Sequence, residues 1–211
     1  VGKPQTAEKA PKSKPREYFE LIVSSVLLAL VIRAFVVQAF RIPSGSMEDT
    51  LLVGDFLLVN KFLYGAKIPF TDVRLPAIRQ PRRGDVIVFR SPNPVRGKPR
   101  DLIKRCVAVG GDVVEVRNNR VYINGELQQE PFIKIAGPIS PYANAPPVLV
   151  PEGNVFMMGD NRNNSTDSRA WGVVDKDLLK GKAMVMYFSW NLNLHGPWEW
   201  PRLWRIGKLI R

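Results

Sequence analysis

Three short stretches hold the residue types that could do chemistry. The first, "IPSGSMEDTL" at 42–51, offers the hydroxyl of Ser46. Ser46 stands three residues before Asp49, the spacing of a capping box, in which a serine caps a helix and an acidic side chain reaches back to its backbone NH. The other reading is a nucleophile, and a serine nucleophile needs a base. His195, the single histidine, lies in "NLNLHGPW", a setting that suits a loop or surface histidine better than a base.

A lysine freed of its proton is the alternative base. "DLIKRCVAVGG" places Lys104 in an otherwise apolar strand, where period-two alternation sets Cys106 and Ala108 on its own face and turns Arg105 toward solvent. To serve near neutrality its pKa must fall from about 10.4 by roughly 2 to 3 units, about 3 to 4 kcal/mol of disfavoured charge. Burial can supply that. A half-exposed lysine whose stem packs and whose ammonium stays wet cannot.

The third stretch is "GDNRNNSTDSRAWG", 159–172, dense in hydrogen-bonding side chains. As a calcium loop it fails, because Arg162 falls where an oxygen ligand belongs and Ser165 where the turn glycine belongs. A loop that orients groups through Ser165, Asp167 and Arg169 fits better. Asn164-Ser165-Thr166 also matches a glycosylation sequon, which has meaning only in a host that glycosylates exported chains. Cys106 is the single cysteine, so no internal disulfide and no multi-cysteine metal site can form, and no metal or cofactor is expected.

These residues need a frame. A chain of 211 residues supports one ordinary core with a small subdomain, and 18 prolines, 16 glycines and many short Val/Ile runs point to a mainly β fold. "DFLLVNKF" and "GDVIVFRSP" read as buried strands; "VVEVRNNRVYINGELQ" reads as strand, Asn-Asn turn, strand, Asn-Gly hairpin, strand. Prolines break the following stretch, so a loop-rich insert or edge is expected at about 117–150. "NVFMMG" and "GKAMVMYFSW" supply later strands.

The start, 1–17, is Lys/Pro-rich and expected to be a disordered tail. The apolar run at 18–40 is long enough to cross a hydrocarbon layer of ~30 Å, although Glu20 and Arg33 interrupt it and a buried core helix is the alternative. Bulky Phe40 and Arg41 follow, which disfavours a cleavable leader. Basic residues ahead of the run place the tail in the cytoplasm and residues 41–211 beyond the membrane. The net charge of +12 calls for a polyanionic partner, nucleic acid or an anionic membrane face. Trp190, Trp198, Trp200 and Trp204, beside Arg202, Arg205, Lys208 and Arg211, suit either a membrane interface or core packing with a basic edge.

In this order behind an apolar segment, four motifs resemble the bacterial type I signal peptidases, or leader peptidases: "IPSGSMEDTLLVGDFLLVNKF", "RRGDVIVFRSP", "DLIKRCVAVGGD" and "GDNRNNSTDSRAWG". The resemblance runs from Tyr18 to the end. It implies an extracytoplasmic serine endopeptidase held in the inner (plasma) membrane by a single pass, acting on the signal peptides of exported precursors with small residues at −1 and −3. The partners it implies are those peptides and the phospholipid membrane, not nucleic acid. Ser46 would be the nucleophile, Lys104 the general base, and the Ser44 hydroxyl with the Ser46 NH the oxyanion hole. Ser165 would hold the lysine, with Asp167 and Arg169 as a supporting ion pair. Ile42, Pro43, Met47, Leu51, Leu102 and Ile103 would line the substrate pockets. The family usually has proline at Asp49, aspartate at Asn163 and often proline at Gly110. A dedicated pilin-type peptidase and a non-catalytic, lipid- or nucleic-acid-holding module are the rival readings.

Overall fold

The computed structural model describes residues 13–68, 71, 73–94, 97–190 and 201–211. His195, Trp198, Trp200 and the basic residues before position 13 lie outside them.

Helix α1, Lys14–Val31, starts with proline in its first turn and Glu17 near its positive end, both favourable there. It therefore begins inside the stretch read as a disordered tail. Leu21, Ile22, Val26, Leu27, Leu28 and Leu30 are all exposed, and no residue of α1 is buried. The run read as one span over 18–40 is not one helix. It passes through a single π-helical turn, Ile32–Val36, and becomes strand β1, Val37–Arg41. Hydropathy could not find that boundary, because Val37, Ala39 and Phe40 continue the apolar run; β1 is set by its antiparallel partner β2, Asp55–Asn60, with Val37 opposite Asn60 and Arg41 opposite Phe56. Among the described residues no helix is long and apolar enough to cross a membrane. Lys14, Arg16, Glu17 and Glu20 occupy the first two turns of α1.

The body is β. The strands after β2 are β3, Val86–Arg90, β4, Asp101–Val109, β5, Val113–Arg117, β6, Arg120–Ile123, and β7, Glu126–Leu127. Then come β8, Ala145–Leu149, β9, Asn154–Met158, β10, Val174–Asp175, and β11, Leu179–Ser189. Seven form one sheet in the order β1-β2-β11-β3-β4-β9-β10, and four form another in the order β7-β6-β5-β8. All the pairings are antiparallel.

The small sheet is the strand, turn, strand, hairpin, strand expected over 113–128, and it moves the start of the insert expected at about 117–150 to beyond Leu127. Positive φ at Asn118 and Asn119, and again at Asn124 and Gly125, makes both turns tight hairpins, so 117–127 is ordered sheet rather than loop. The prolines act where expected: Pro146 and Pro147 lie in β8, an edge strand, where a missing NH costs least.

An apolar cluster of Ile42, Met47, Leu51, Leu57, Val59, Val86, Val88 and Met186 underlies the segment between β1 and β2. The C-terminal segment is tied to it by charge. Asp55, fully buried, accepts from the Arg205 guanidinium and from Ser189 Oγ, while Arg202 donates to Ser189 Oγ and the Val53 carbonyl. These two arginines are structural groups of the interior, which for them selects core packing from the two readings of the Trp/Arg grouping. Trp204 is exposed.

Candidate active site

Ser46 lies in a one-turn 3-10 helix, Gly45–Met47, reached through an extended Ser44. The capping-box reading fails here. Asp49 adopts φ 79 and its carboxylate accepts from Lys134 Nζ, so it does not reach back to the Ser46 NH. That φ is one proline cannot take, so the departure from the family's usual proline goes with a different turn. The Ser46 NH belongs to the first turn of its helix, where backbone NH groups have no intrahelical partner.

Lys104, in β4, is 3% exposed, and its Nζ lies 2.5 Å from Ser46 Oγ. Burial lowers the pKa of this amine to about 8; the carboxylates of Asp167 and Asp160 oppose the shift, and Arg169 and Arg100 add to it. Desolvation is the dominant cause because an ammonium loses more than a neutral amine when water is removed.

The alternation expected along β4 holds only in part. The register against β9 slips between Cys106 and Ala108, and the two side chains enter different apolar clusters. Arg105 does not face solvent. It is 2% exposed and binds Asp160 through two bonds, Nε to Oδ1 at 2.8 Å and Nη2 to Oδ2 at 2.7 Å. Nη1 donates to the carbonyls of Gly84 and Arg211, and the guanidinium stacks 3.7 Å over the Phe132 ring. Thr50 Oγ1 donates to the same Asp160 carboxylate at 2.6 Å, which ties β4 to the segment that carries Ser46. A guanidinium can point inward on a β-strand when a buried carboxylate answers it.

The polar loop wraps around one carboxylate. Asp167 accepts from Ser165 Oγ at 2.6 Å, from the Gly159 NH at 3.0 Å and from Arg169 Nε and Nη2 at 2.8 and 2.9 Å. Ser165 gives its hydroxyl proton to the Asp167 carboxylate, a strong charged acceptor; the hold on Lys104 that the resemblance implied is not among the hydrogen bonds of the described residues. Arg169 continues to Asn119 Oδ1 and to the carbonyls of Tyr142 and Arg162. Two features of this loop escaped the sequence reading. Buried Arg162 pairs with Glu130 across the loop between β7 and β8. Gly159 has no room for a side chain: a Cβ there would stand 2.3 Å from Ser165 Oγ and 2.5 Å from the Ser46 carbonyl oxygen. The signal for both was a run of charges and a glycine beside strands too apolar to leave them wet.

A cleft of about 320 Å³ opens at Ser46 and Lys104, walled by Ile42, Pro43, Ser44, Leu102 and Ile103 among others. Met47 and Leu51, also expected there, are buried in the core with Ile42. The tight turn that aims Ser46 at the cleft sends the next residue inward. Opposite this turn, β4 pairs with β3 over Asp101–Arg105, but β9 joins its other edge only from Arg105 onward. Next to the Ser46/Lys104 pair, therefore, Asp101–Lys104 presents an edge that carries no strand among the described residues.

A mainly β body with a serine and a buried lysine in hydrogen-bond contact at a cleft defines a candidate Ser-Lys hydrolase. The family model described as "Signal peptidase, peptidase S26" matches residues 15–190, and the chain belongs to that family of peptidases. It is 39% identical over 210 residues to the signal peptidase I of Pseudomonas aeruginosa, covering 82% of this chain and 72% of that one. A probable signal peptidase I-2 of Synechocystis is 37% identical over 183 residues, 86% of this chain and 77% of its own. The signal peptidase I of Aquifex aeolicus is 33% identical over 242 residues, 88% and 89% of the two chains. A solved signal peptidase I from Enterococcus faecalis aligns at 29% identity over 50% of this chain and 98% of its own, with a TM-score of 0.40.

Proposed function

We propose that this chain cleaves signal peptides from exported precursors through an acyl-enzyme formed on Ser46, with Lys104 as general base. The carrying observation is the 2.5 Å approach of the buried Lys104 amine to the Ser46 hydroxyl inside the cleft. Neutral Nζ takes the hydroxyl proton as Oγ attacks the scissile carbonyl carbon. The resulting oxyanion is met by the Ser46 NH and the Ser44 hydroxyl, and the ammonium returns its proton to the leaving amine. Water then gives a proton to the same amine as its oxygen attacks the ester carbon, and the ammonium returns that proton to Ser46 Oγ as the acyl C–O bond breaks. Asp167, Arg169 and Ser165 hold the loop that backs the pair.

The substrate enters as an extended strand. The open edge at Asp101–Lys104 offers backbone hydrogen bonds, and the walls at Ile42, Pro43, Leu102 and Ile103 leave room for small side chains at −1 and −3. Placement follows from α1. Together with the π turn, 18–36 extends about 30 Å, the apolar side chains of α1 are exposed all around it, and basic residues precede them. This reading sets α1 in the plasma membrane with its N-terminus cytoplasmic, and the catalytic body at the outer face, where a precursor's cleavage site emerges.

The pH dependence of cleavage tests the dyad. Activity requires neutral Lys104, so kcat/KM is expected to rise tenfold per pH unit below the pKa of the amine, bend near about 8 and level off above it. A bend near the ordinary lysine value, about 10.4, would refute a desolvated base. Ser44→Ala tests the second donor. Precursor cleavage should fall about 10²- to 10³-fold in kcat with KM little changed, the loss expected for one oxyanion donor; an unchanged kcat would remove Ser44 from the mechanism.

A further inference from the structure

Asn161, in the polar loop after β9, grips the turn that carries the nucleophile. It is 4% exposed and does not belong to the wall of the cleft, which holds Ser44 and Ser46. Its backbone NH donates to the Ser46 carbonyl at 3.1 Å, and its side-chain Nδ2 donates to the Gly45 carbonyl at 3.1 Å and to Glu48 Oε2 at 3.2 Å. One residue thus holds three oxygens of the turn 45–48. The orientation of its amide follows from those partners, since a carbonyl and a carboxylate oxygen both face Nδ2 and both are acceptors. The Glu48 NH, which closes the 3-10 turn, also donates to the Gly45 carbonyl, but it moves with the turn. Asn161 ties the turn to a different part of the chain.

The peptide unit turns this grip into chemistry. A peptide is planar and trans, so its C=O and its N–H point in opposite directions. The Gly45 carbonyl and the Ser46 NH belong to one such unit. A donor on the Gly45 oxygen therefore aims the Ser46 NH the other way, and the bond to the Ser46 carbonyl fixes the next unit as well. Both planes that meet at the Ser46 Cα are held. A hydrogen bond to a carbonyl also polarises the NH of the same peptide, which makes it the better donor. The mount itself is stiff. Asp160, on one side of Asn161, is paired with buried Arg105, and Arg162, on the other, with buried Glu130. The Lys134 NH donates to the Asp160 carbonyl at 2.8 Å and the Arg162 NH to the Lys134 carbonyl at 2.9 Å, while the Lys134 ammonium reaches Glu48 and Asp49 at 3.6 and 3.2 Å.

We propose that Asn161 is the positioning residue of the oxyanion hole, aiming the Ser46 NH by holding the Gly45 and Ser46 carbonyls. The proposal rests on the acyl-transfer reading given above and adds to it a group that touches neither the substrate nor the reacting atoms. Its effect belongs to the transition state, because the NH meets a charged oxygen only there.

The test uses the full chain, a precursor peptide, and two inhibitors of one peptide sequence with alanine at −1 and −3, one ending in an aldehyde and one in an amide. Ser46 Oγ adds to the aldehyde carbon, and its proton passes through the Lys104 amine to the former carbonyl oxygen, which then lies in the hole; the amide only occupies the cleft. Asn161→Leu keeps the shape of the side chain and removes its donors. Its kcat is expected to fall on the order of 10²-fold with KM little changed, and its aldehyde affinity to fall in step while amide affinity holds. The bend of the pH-rate profile should stay near about 8, since no partner of Lys104 is altered. Asn161→Ala, which leaves room for water at the Gly45 carbonyl, repeats the measurement should leucine not fit, with a smaller loss of the same pattern. Equal losses of aldehyde and amide affinity in both variants would mean a loosened cleft and overturn the proposal, as would an unchanged kcat. Ser46→Ala tests the underlying reading separately. If that variant still cleaves, the acyl-transfer reading falls; if it does not cleave while Asn161→Leu keeps full kcat, only the role of Asn161 falls.

Discussion

Replacing Lys104 with arginine is expected to abolish precursor cleavage, with a loss on the order of 10⁴- to 10⁶-fold in kcat, and Ser46→Ala should do the same. Arginine keeps the positive charge and the reach, but its guanidinium cannot give up a proton at working pH, so it can only donate to Ser46 and never accept from it. The double variant should be no worse than either single one, because the two groups act as a unit. Single-turnover cleavage of a purified precursor measures all three. Residual activity in Lys104→Arg near the parent level would show that another group takes the proton.

Lys104→Met separates chemistry from folding. The amine binds fewer protons in the folded than in the unfolded chain between about pH 8 and 10.5, since its folded pKa is depressed. Its contribution to stability is therefore most favourable above the upper value and is lost as pH falls through the lower one. Below that window the folded chain carries an ammonium that burial disfavours by about 3 kcal/mol. An apolar side chain of similar length removes the penalty. Lys104→Met is accordingly expected to be inactive yet more stable than the parent at pH 6 to 7, with the difference shrinking between about pH 8 and 10.5. Thermal unfolding across that range measures it, and a variant less stable at every pH would contradict a desolvated amine.

What the sequence made legible follows from the range of each interaction. The strands β2, β3, β5, β6, β9 and β11 were readable because alternation and Asn/Gly turns are local, and the prolines of β8 marked an edge for the same reason. The end of the helix at Val36 was not, since Val37–Arg41 becomes a strand only by pairing with β2, nearly twenty residues on. The Ser46/Lys104 pair came from motif order, whereas the inward turn of Arg105 depends on Asp160, more than fifty residues away. Period-two alternation assigns faces, but it cannot say that a carboxylate waits on the inner one. Met47 and Leu51 make the same point at the cleft, where the direction of a one-turn helix decides which of two neighbouring side chains meets substrate.

That hidden pair carries the second large effect. Asp160→Ala removes both carboxylate acceptors of the buried Arg105 guanidinium, leaving it only the carbonyls of Gly84 and Arg211, and removes the partner of Thr50 Oγ1. A buried charge left without its counter-ion costs about 3 to 5 kcal/mol, which for a domain of this size corresponds to a fall in Tm of roughly 10 °C or more. If the loss is the stranded charge rather than the missing contact, Arg105→Met added to Asp160→Ala should restore most of it, although Phe132 would lose its cation. The same change reaches the chemistry. The Asp160 carboxylate holds the Lys104 pKa up, so its removal, with Arg105 still charged beside it, should shift the bend of the pH-rate profile to lower pH in whatever fraction remains folded. A profile that stays in place while Tm drops would mean that Asp160 supports the strand that carries Lys104 without tuning its amine.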